Sequence, residues 1–153
     1  MVNRPKQIGT AAETAVLKIV KPYFPDAHRL VLAGRADQGD IRLHDWAILE
    51  VKGGKQAQQI GDKLLESWLM EAEVEANHAG VRRGFLITQR AGYGAPNAHR
   101  WWVWTRLGTL LDLFSRERRE MIADTSVVRL ELGDFLLALV EQGICQPVNN
   151  NAA

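Results

Sequence analysis

Between Gly39 and Lys52 the chain sets charged groups into sequence that otherwise asks to be the inside of a sheet. The stretch opens with Gly39-Asp40-Ile41 and closes with Leu49-Glu50-Val51-Lys52. Carboxylates in apolar β sequence are costly unless something cationic meets them. Side chains alternate along a strand, so Glu50 and Lys52 emerge on one face, about 7 Å apart. Ala47, Leu49 and Val51 point the other way, toward a core. The spacing predicts two short strands, 40–43 and 46–52, joined at His44-Asp45. A hairpin of that kind brings Asp40 beside Glu50. Two carboxylates with a neighbouring ammonium are the groups needed to hold a hard divalent cation and activate a water.

The sequence around this stretch alternates helix and strand periods. Ile8, Ala12, Ala15, Val16, Ile19, Val20 and Tyr23 recur at helical spacing, predicting an amphipathic helix over 8–24 that ends at Pro22 and Pro25. Glu13 falls at the edge of that apolar stripe, where a carboxylate can reach a neighbouring sheet. A strand is predicted over 29–32, followed by a turn-rich loop at 33–39. After Gly53-Gly54 a long helix over 56–79 carries Ile60, Leu64, Leu65, Trp68, Leu69, Ala72 and Ala76 on one face. The next expectations are a strand over 83–88, a turn cluster over 91–97 and a strand over 101–105. A helix near 107–119, a strand near 127–132 and a helix over 134–142 complete the pattern. This order defines one α/β domain over residues 1–145, with a central mixed sheet flanked by helices, and a loose polar tail over 146–153.

Composition bounds the function classes. At 153 residues with 46% hydrophobic and 24% charged content, the chain is that of an ordinary globular domain with a proper core. No membrane association is expected, since no run approaches a membrane span and the N-terminus lacks a signal peptide's apolar stretch. The single cysteine, Cys145, cannot form an internal disulfide, so a cytoplasmic, reducing setting is the expectation. The four histidines are scattered without zinc-ligand spacing. A net charge of +1 excludes coating nucleic acid by bulk charge, but the charges are segregated. From His78 to Arg106 there are five arginines and no acid, whereas 62–75 holds five acids against one lysine.

With these parts in order, the chain resembles the PD-(D/E)XK nuclease superfamily, and more narrowly the Holliday-junction-resolvase-like proteins of bacteriophages. The resemblance rests on Gly9-Thr10-Ala11-Ala12-Glu13-Thr14-Ala15-Val16, on Gly39-Asp40-Ile41 and on Leu49-Glu50-Val51-Lys52. The run from Trp68 to Gly80 and Gly84-Phe85-Leu86-Ile87-Thr88 extend it, so that it covers about residues 6–105. It implies a restriction-endonuclease-like core (helix, three strands, helix, strand) and metal-dependent hydrolysis of a DNA phosphodiester. Asp40 and Glu50 would be Mg²⁺ ligands, with Mn²⁺ able to substitute, and Glu13 would complete the acidic cluster as a ligand or through water. Lys52 would position the attacking water and offset charge on the transition state. The implied roles are DNA recombination and repair, with a four-way junction or other branched DNA as substrate. A nuclease of the same fold acting on ends, flaps or single strands, and a non-catalytic DNA-binding module, are the alternatives. The chain departs from the exonuclease branches, whose helical glutamine is followed four residues later by tyrosine; here Gln59 is followed by Lys63.

Candidate contacts to the DNA backbone are Arg29, Arg35, Lys55, Arg82, Arg83 and Arg90, because phosphate contacts anchor a substrate without reading its sequence. Trp101, Trp102 and Trp104 read as core or interface residues of a strand. Trp68 is a candidate subunit contact, since paired incisions at a junction call for two sites and hence a homodimer.

Overall fold

Why the acidic strands are tolerable becomes clear from what covers them. The structure is a computed structural model that describes residues 4–31, 39–115 and 126–147. Helix α1 (Arg4–Val20) packs Ala12, Ala15, Val16 and Val20 onto the sheet. Strand β1 (His28–Arg29) is shorter than the sequence suggests, with Leu30 and Val31 outside the ladder and Leu32 outside the described residues. β2 (Ile41–Leu43) and β3 (Ala47–Lys52) form the expected antiparallel hairpin in the register Ile41↔Leu49 and Leu43↔Ala47. His44 turns it with a φ of 53°, in the left-handed region that non-glycine residues seldom visit.

The helical stretch predicted over 56–79 is two helices, α2 (Gly54–Gln58) and α3 (Asp62–His78). The chain leaves β3 at one end of the sheet and must reverse to re-enter as a parallel strand, and the break at 59–61 makes that reversal. β4 (Arg83–Thr88) then pairs parallel with β3, from Ala47↔Arg83 to Lys52↔Thr88. Gly84 allows the crossover helix to lie close, because a Cβ there would stand 2.0 Å from the Ala72 carbonyl oxygen.

The turn cluster becomes a 3-10 segment (Ala95–Arg100), followed by β5 (Trp102–Arg106), α4 (Leu107–Phe114), β6 (Val127–Glu131) and α5 (Leu132–Glu141). The predicted continuation of α4 to residue 119 lies outside the described residues, as does most of the predicted tail. Among the described residues the strands make one six-stranded mixed sheet in the order β1-β2-β3-β4-β5-β6, so the C-terminal third builds into the same sheet. Ala47, Leu49, Val51, Phe85, Ile87 and Val103 face α1 and α5 in the main core. On the opposite face α3 covers Ile48 and Leu86 with Leu65, Leu69 and Ala76. β3 is thus buried on both faces, as parallel strands usually are. No helix among the described residues is long and apolar enough to cross a membrane.

Candidate active site

Glu50 and Lys52 leave β3 on the face covered by α3, so their surroundings come from that helix as well as from the hairpin. Glu50 is 6% exposed. Its Oε1 lies 2.6 Å from the Lys52 ammonium, which also stands 3.3 Å from Glu71 of α3 and 5.5 Å from the centre of the Trp68 ring. Trp68 is therefore a wall of the Lys52 site within this chain, packed with the Leu65–Leu69–Leu86 cluster. Asp40 sits at the entrance to β2. Its amide donates to the Leu49 carbonyl at 3.1 Å and its Oδ2 accepts from the Val51 amide at 2.7 Å. The hairpin thereby locks the Asp40 carboxylate against β3. Gly39 precedes it at a φ of +84°, a conformation that strains any residue with a Cβ.

The electrostatics of this corner are unusual for a structural cluster. Burial, followed by repulsion from Glu50, pushes the Asp40 carboxyl up to about 7, against the lowering effect of the Val51 hydrogen bond. Burial, followed by a hydrogen bond shared with the Glu75 carboxyl, pushes Glu50 up to about 8 although Lys52 pulls it down. Burial also disfavours the Lys52 ammonium, but Glu50 and Glu71 outweigh it and hold its pKa above the ordinary lysine value. Lys52 stays charged, and it does not offset the burial and mutual repulsion of Asp40 and Glu50, which therefore hold protons near neutrality.

Glu13 comes within electrostatic reach of Asp40, but its carboxylate is ion-paired with Arg29 of β1. Among the described residues no group of three or more His, Cys, Asp or Glu side chains is arranged to hold a metal ion. The two carboxylates that stand together over the open strand end are Asp40 and Glu50. They line a cleft with Lys52, Gly53, Lys55 and Trp68. Gly53 lets α1 approach that strand end: a Cβ there would meet the Ala12 Cβ at 2.7 Å. The glycines after β3 thus serve helix packing as well as access.

The basic residues chosen from sequence separate into distinct places. Lys55 is exposed at the cleft. Arg35 lies outside the described residues. Arg82 and Arg83 stand at the far end of β4 from Lys52, because the two strands run parallel and Arg83 pairs with Ala47 rather than Lys52. Arg83 is committed to Asp112 at 2.6 Å and stacks on Trp46. Arg90 lies at the Lys52 end but is bound to Glu131 at 2.6 Å, a carboxylate it shares with Arg100. Arg106 is held by Glu66 and Glu73. The basic run is therefore largely matched by acids distant in sequence. Glu71 and Glu75 are the functional candidates that sequence reasoning missed. The available signal was an acid, Glu75, falling between Ala72 and Ala76 on the helix's apolar stripe, where only a partnered carboxyl is tolerated. Comparison with protein-family models, curated proteins and solved structures gives no match to this chain.

Proposed function

We propose that this protein is a Mg²⁺-dependent endodeoxyribonuclease that hydrolyses phosphodiester bonds in branched DNA, with the four-way junction as its substrate. The observation that carries the reading is the pair of buried, mutually repelling carboxyls, Asp40 and Glu50, beside a charged Lys52 at an open strand end. The restriction-endonuclease-like core of the PD-(D/E)XK class is supported by the element order, one helix, an antiparallel three-strand meander, a crossover and a fourth strand parallel to the third.

Asp40 and Glu50 suit a hard cation: both are oxygen donors, and both are held close in a setting where their negative charge is poorly compensated. Two protein carboxylates, with water and substrate phosphate, make a usual Mg²⁺ ligand set. When bound, the ion would screen the phosphate's charge and acidify water. Lys52, kept charged by Glu50 and Glu71, orients the attacking water and offsets negative charge growing on the phosphate oxygens. Glu13, tethered by Arg29, adds to the negative potential at Asp40. Glu75 steadies Glu50 by hydrogen bonding. Cutting both strands of a junction symmetrically calls for two such sites, hence a homodimer.

The test is cleavage of end-labelled four-way junction, flap, linear duplex and single-stranded DNA with and without Mg²⁺. Symmetric nicks near the crossover are the expected product. Progressive shortening would move the substrate to DNA ends. Absence of cleavage on every substrate, or full activity in Asp40→Asn, Glu50→Gln or Lys52→Ala, would overturn the reading.

A further inference from the structure

The sheet face that carries Glu50 and Lys52 does not end at α3. Residues opposite one another in a ladder project from the same face. The row through Glu50 continues as Leu86, Trp104 and Arg129, and the row through Lys52 continues as Thr88, Trp102 and Glu131. α3 covers the β3 and β4 part of this face; on β5 and β6 the rows emerge as half-buried tryptophans and an exposed Arg129.

These residues form a stack. The Arg129 guanidinium lies 4.2 Å from the Trp102 ring centre and 5.5 Å from that of Trp104. Arg90 lies 4.1 Å from Trp102 and 4.6 Å from Tyr93, and Arg100 lies 4.8 Å from Tyr93. Trp104 is fixed in turn by its indole N–H, which donates to the Thr88 hydroxyl at 2.8 Å. Three guanidinium groups thus converge on three aromatic rings. Glu131 is the acid in their midst, and it is bound by Arg90 and Arg100. Among the described residues Arg129 has no ion-pair partner. A guanidinium lying on an aromatic ring keeps its N–H edge available while its conformational freedom is already reduced, which is how arginine is prepared to grip phosphate.

The geometry points to Arg129, seated on Trp102 and Trp104, as a backbone-phosphate contact for a DNA strand that leaves the cleft at Lys52 and passes over the β5–β6 part of this face, which α3 leaves open. Three strand spacings, about 14 Å, separate β3 from β6, so both contacts fall within reach of one short length of backbone. Three guanidiniums against the one carboxylate of Glu131 leave a surplus of positive charge on the β5–β6 face, which is complementary to that polyanion. Arg90 is the rim of the same surface; its charge is spent on Glu131, so Arg129 carries the larger share.

The ligand assigned here rests on the nuclease reading, and the experiment separates the two. Binding of a fluorescently labelled four-way junction is measured in EDTA, where no cleavage occurs, between 50 and 200 mM salt (about the range over which phosphate contacts dominate). Arg129→Ala is expected to weaken binding about tenfold and to lower the slope of log affinity against log salt by about one. Arg129→Lys should retain the slope with a smaller loss of affinity, because the charge remains and the stacked fork is gone. Lys18→Ala, which removes an exposed charge from α1, serves as the control and should change neither quantity. Wild-type affinity and slope in Arg129→Ala, or a loss matched by Lys18→Ala, overturns the assignment and leaves the Asp40–Glu50 site to its own test. Reduced binding by Arg129→Ala in a protein that cleaves no DNA would sustain the surface and remove the nuclease. A wild-type protein that binds no DNA overturns both.

Discussion

Two polar clusters join α3 to the sheet, and they have opposite electrostatic character. In one, Arg106 on β5 donates to Glu66 at 2.5 Å and to Glu73 at 3.0 Å; the Arg106 hydrogen bond holds the Glu66 carboxyl below the ordinary glutamate value. In the other, Lys52 meets Glu50 and Glu71 while Asp40 and Glu75 crowd in, and burial drives Asp40 up to about 7 and Glu50 up to about 8. The first also sets two carboxylates against one guanidinium, but both carboxylates are half-exposed and water screens the remaining charge. The second is buried and short of positive charge, and a bound cation would supply what is missing. Strongly perturbed groups in a cleft mark functional sites for this reason.

The contrast breaks most visibly in turnover. Glu50→Gln is expected to cut Mg²⁺-dependent cleavage by about 10³-fold or more while leaving the far-UV circular dichroism unchanged, whereas Arg106→Ala should cleave at the wild-type rate. Equal losses in the two variants would erase the distinction between the clusters.

A second effect is on stability against pH. Asp40 and Glu50 bind protons more tightly folded than unfolded, so their contribution is fully present below about pH 4 and is lost as pH rises through about 7 to 8. Without metal, folding free energy from urea titrations should therefore fall by roughly 2–4 kcal/mol between pH 5 and pH 8. The Asp40→Asn, Glu50→Gln double variant should lack most of that fall, and Mg²⁺ at pH 8 should restore stability to the wild type by binding the folded state. A flat wild-type profile would show that these carboxyls are ordinary.

Glu75→Gln sharpens the comparison within the second cluster. It keeps a hydrogen-bonding group beside Glu50 and removes the carboxyl that pushes the Glu50 pKa up, so the fall in stability between pH 5 and pH 8 should be smaller than in the wild type. The smallest effect is expected from Arg106→Ala itself, a loss of about 1 kcal/mol at all pH values from 6 to 8, because Glu66 and Glu73 are half-exposed and screened by water.

How much of this was legible in the chain follows from the range over which each signal acts. The hairpin of β2 and β3, the apolar face of α1 and the strand at β4 were readable because alternation and helical spacing are local. Asp40 beside Glu50 followed from them. The break between α2 and α3 was not readable as a stop, since Gln59-Ile60-Gly61 continues the helical spacing and only the need to return parallel to β3 forces the turn. Glu71 and Glu75 were hidden among the other acids of 62–75, and their meaning depends on a helix crossing the sheet. The arginines misled for the same reason. Arg83 and Arg106 look unopposed along the sequence, yet Asp112, Glu66 and Glu73 reach them through the fold. Arg129, isolated in sequence, gains its setting from tryptophans on the neighbouring strand.

The central claim is that Asp40 and Glu50 are two halves of a cation site, and calorimetric titration of the folded protein with Mg²⁺ tests it most directly. Because both carboxyls hold protons near neutrality, binding at pH 7 should release about one proton per ion, read from the dependence of the binding heat on buffer ionisation enthalpy. Asp40→Asn should abolish both the binding and the proton release. Mg²⁺ binding that releases no proton and survives Asp40→Asn, or a wild-type protein that binds no Mg²⁺, would contradict the account.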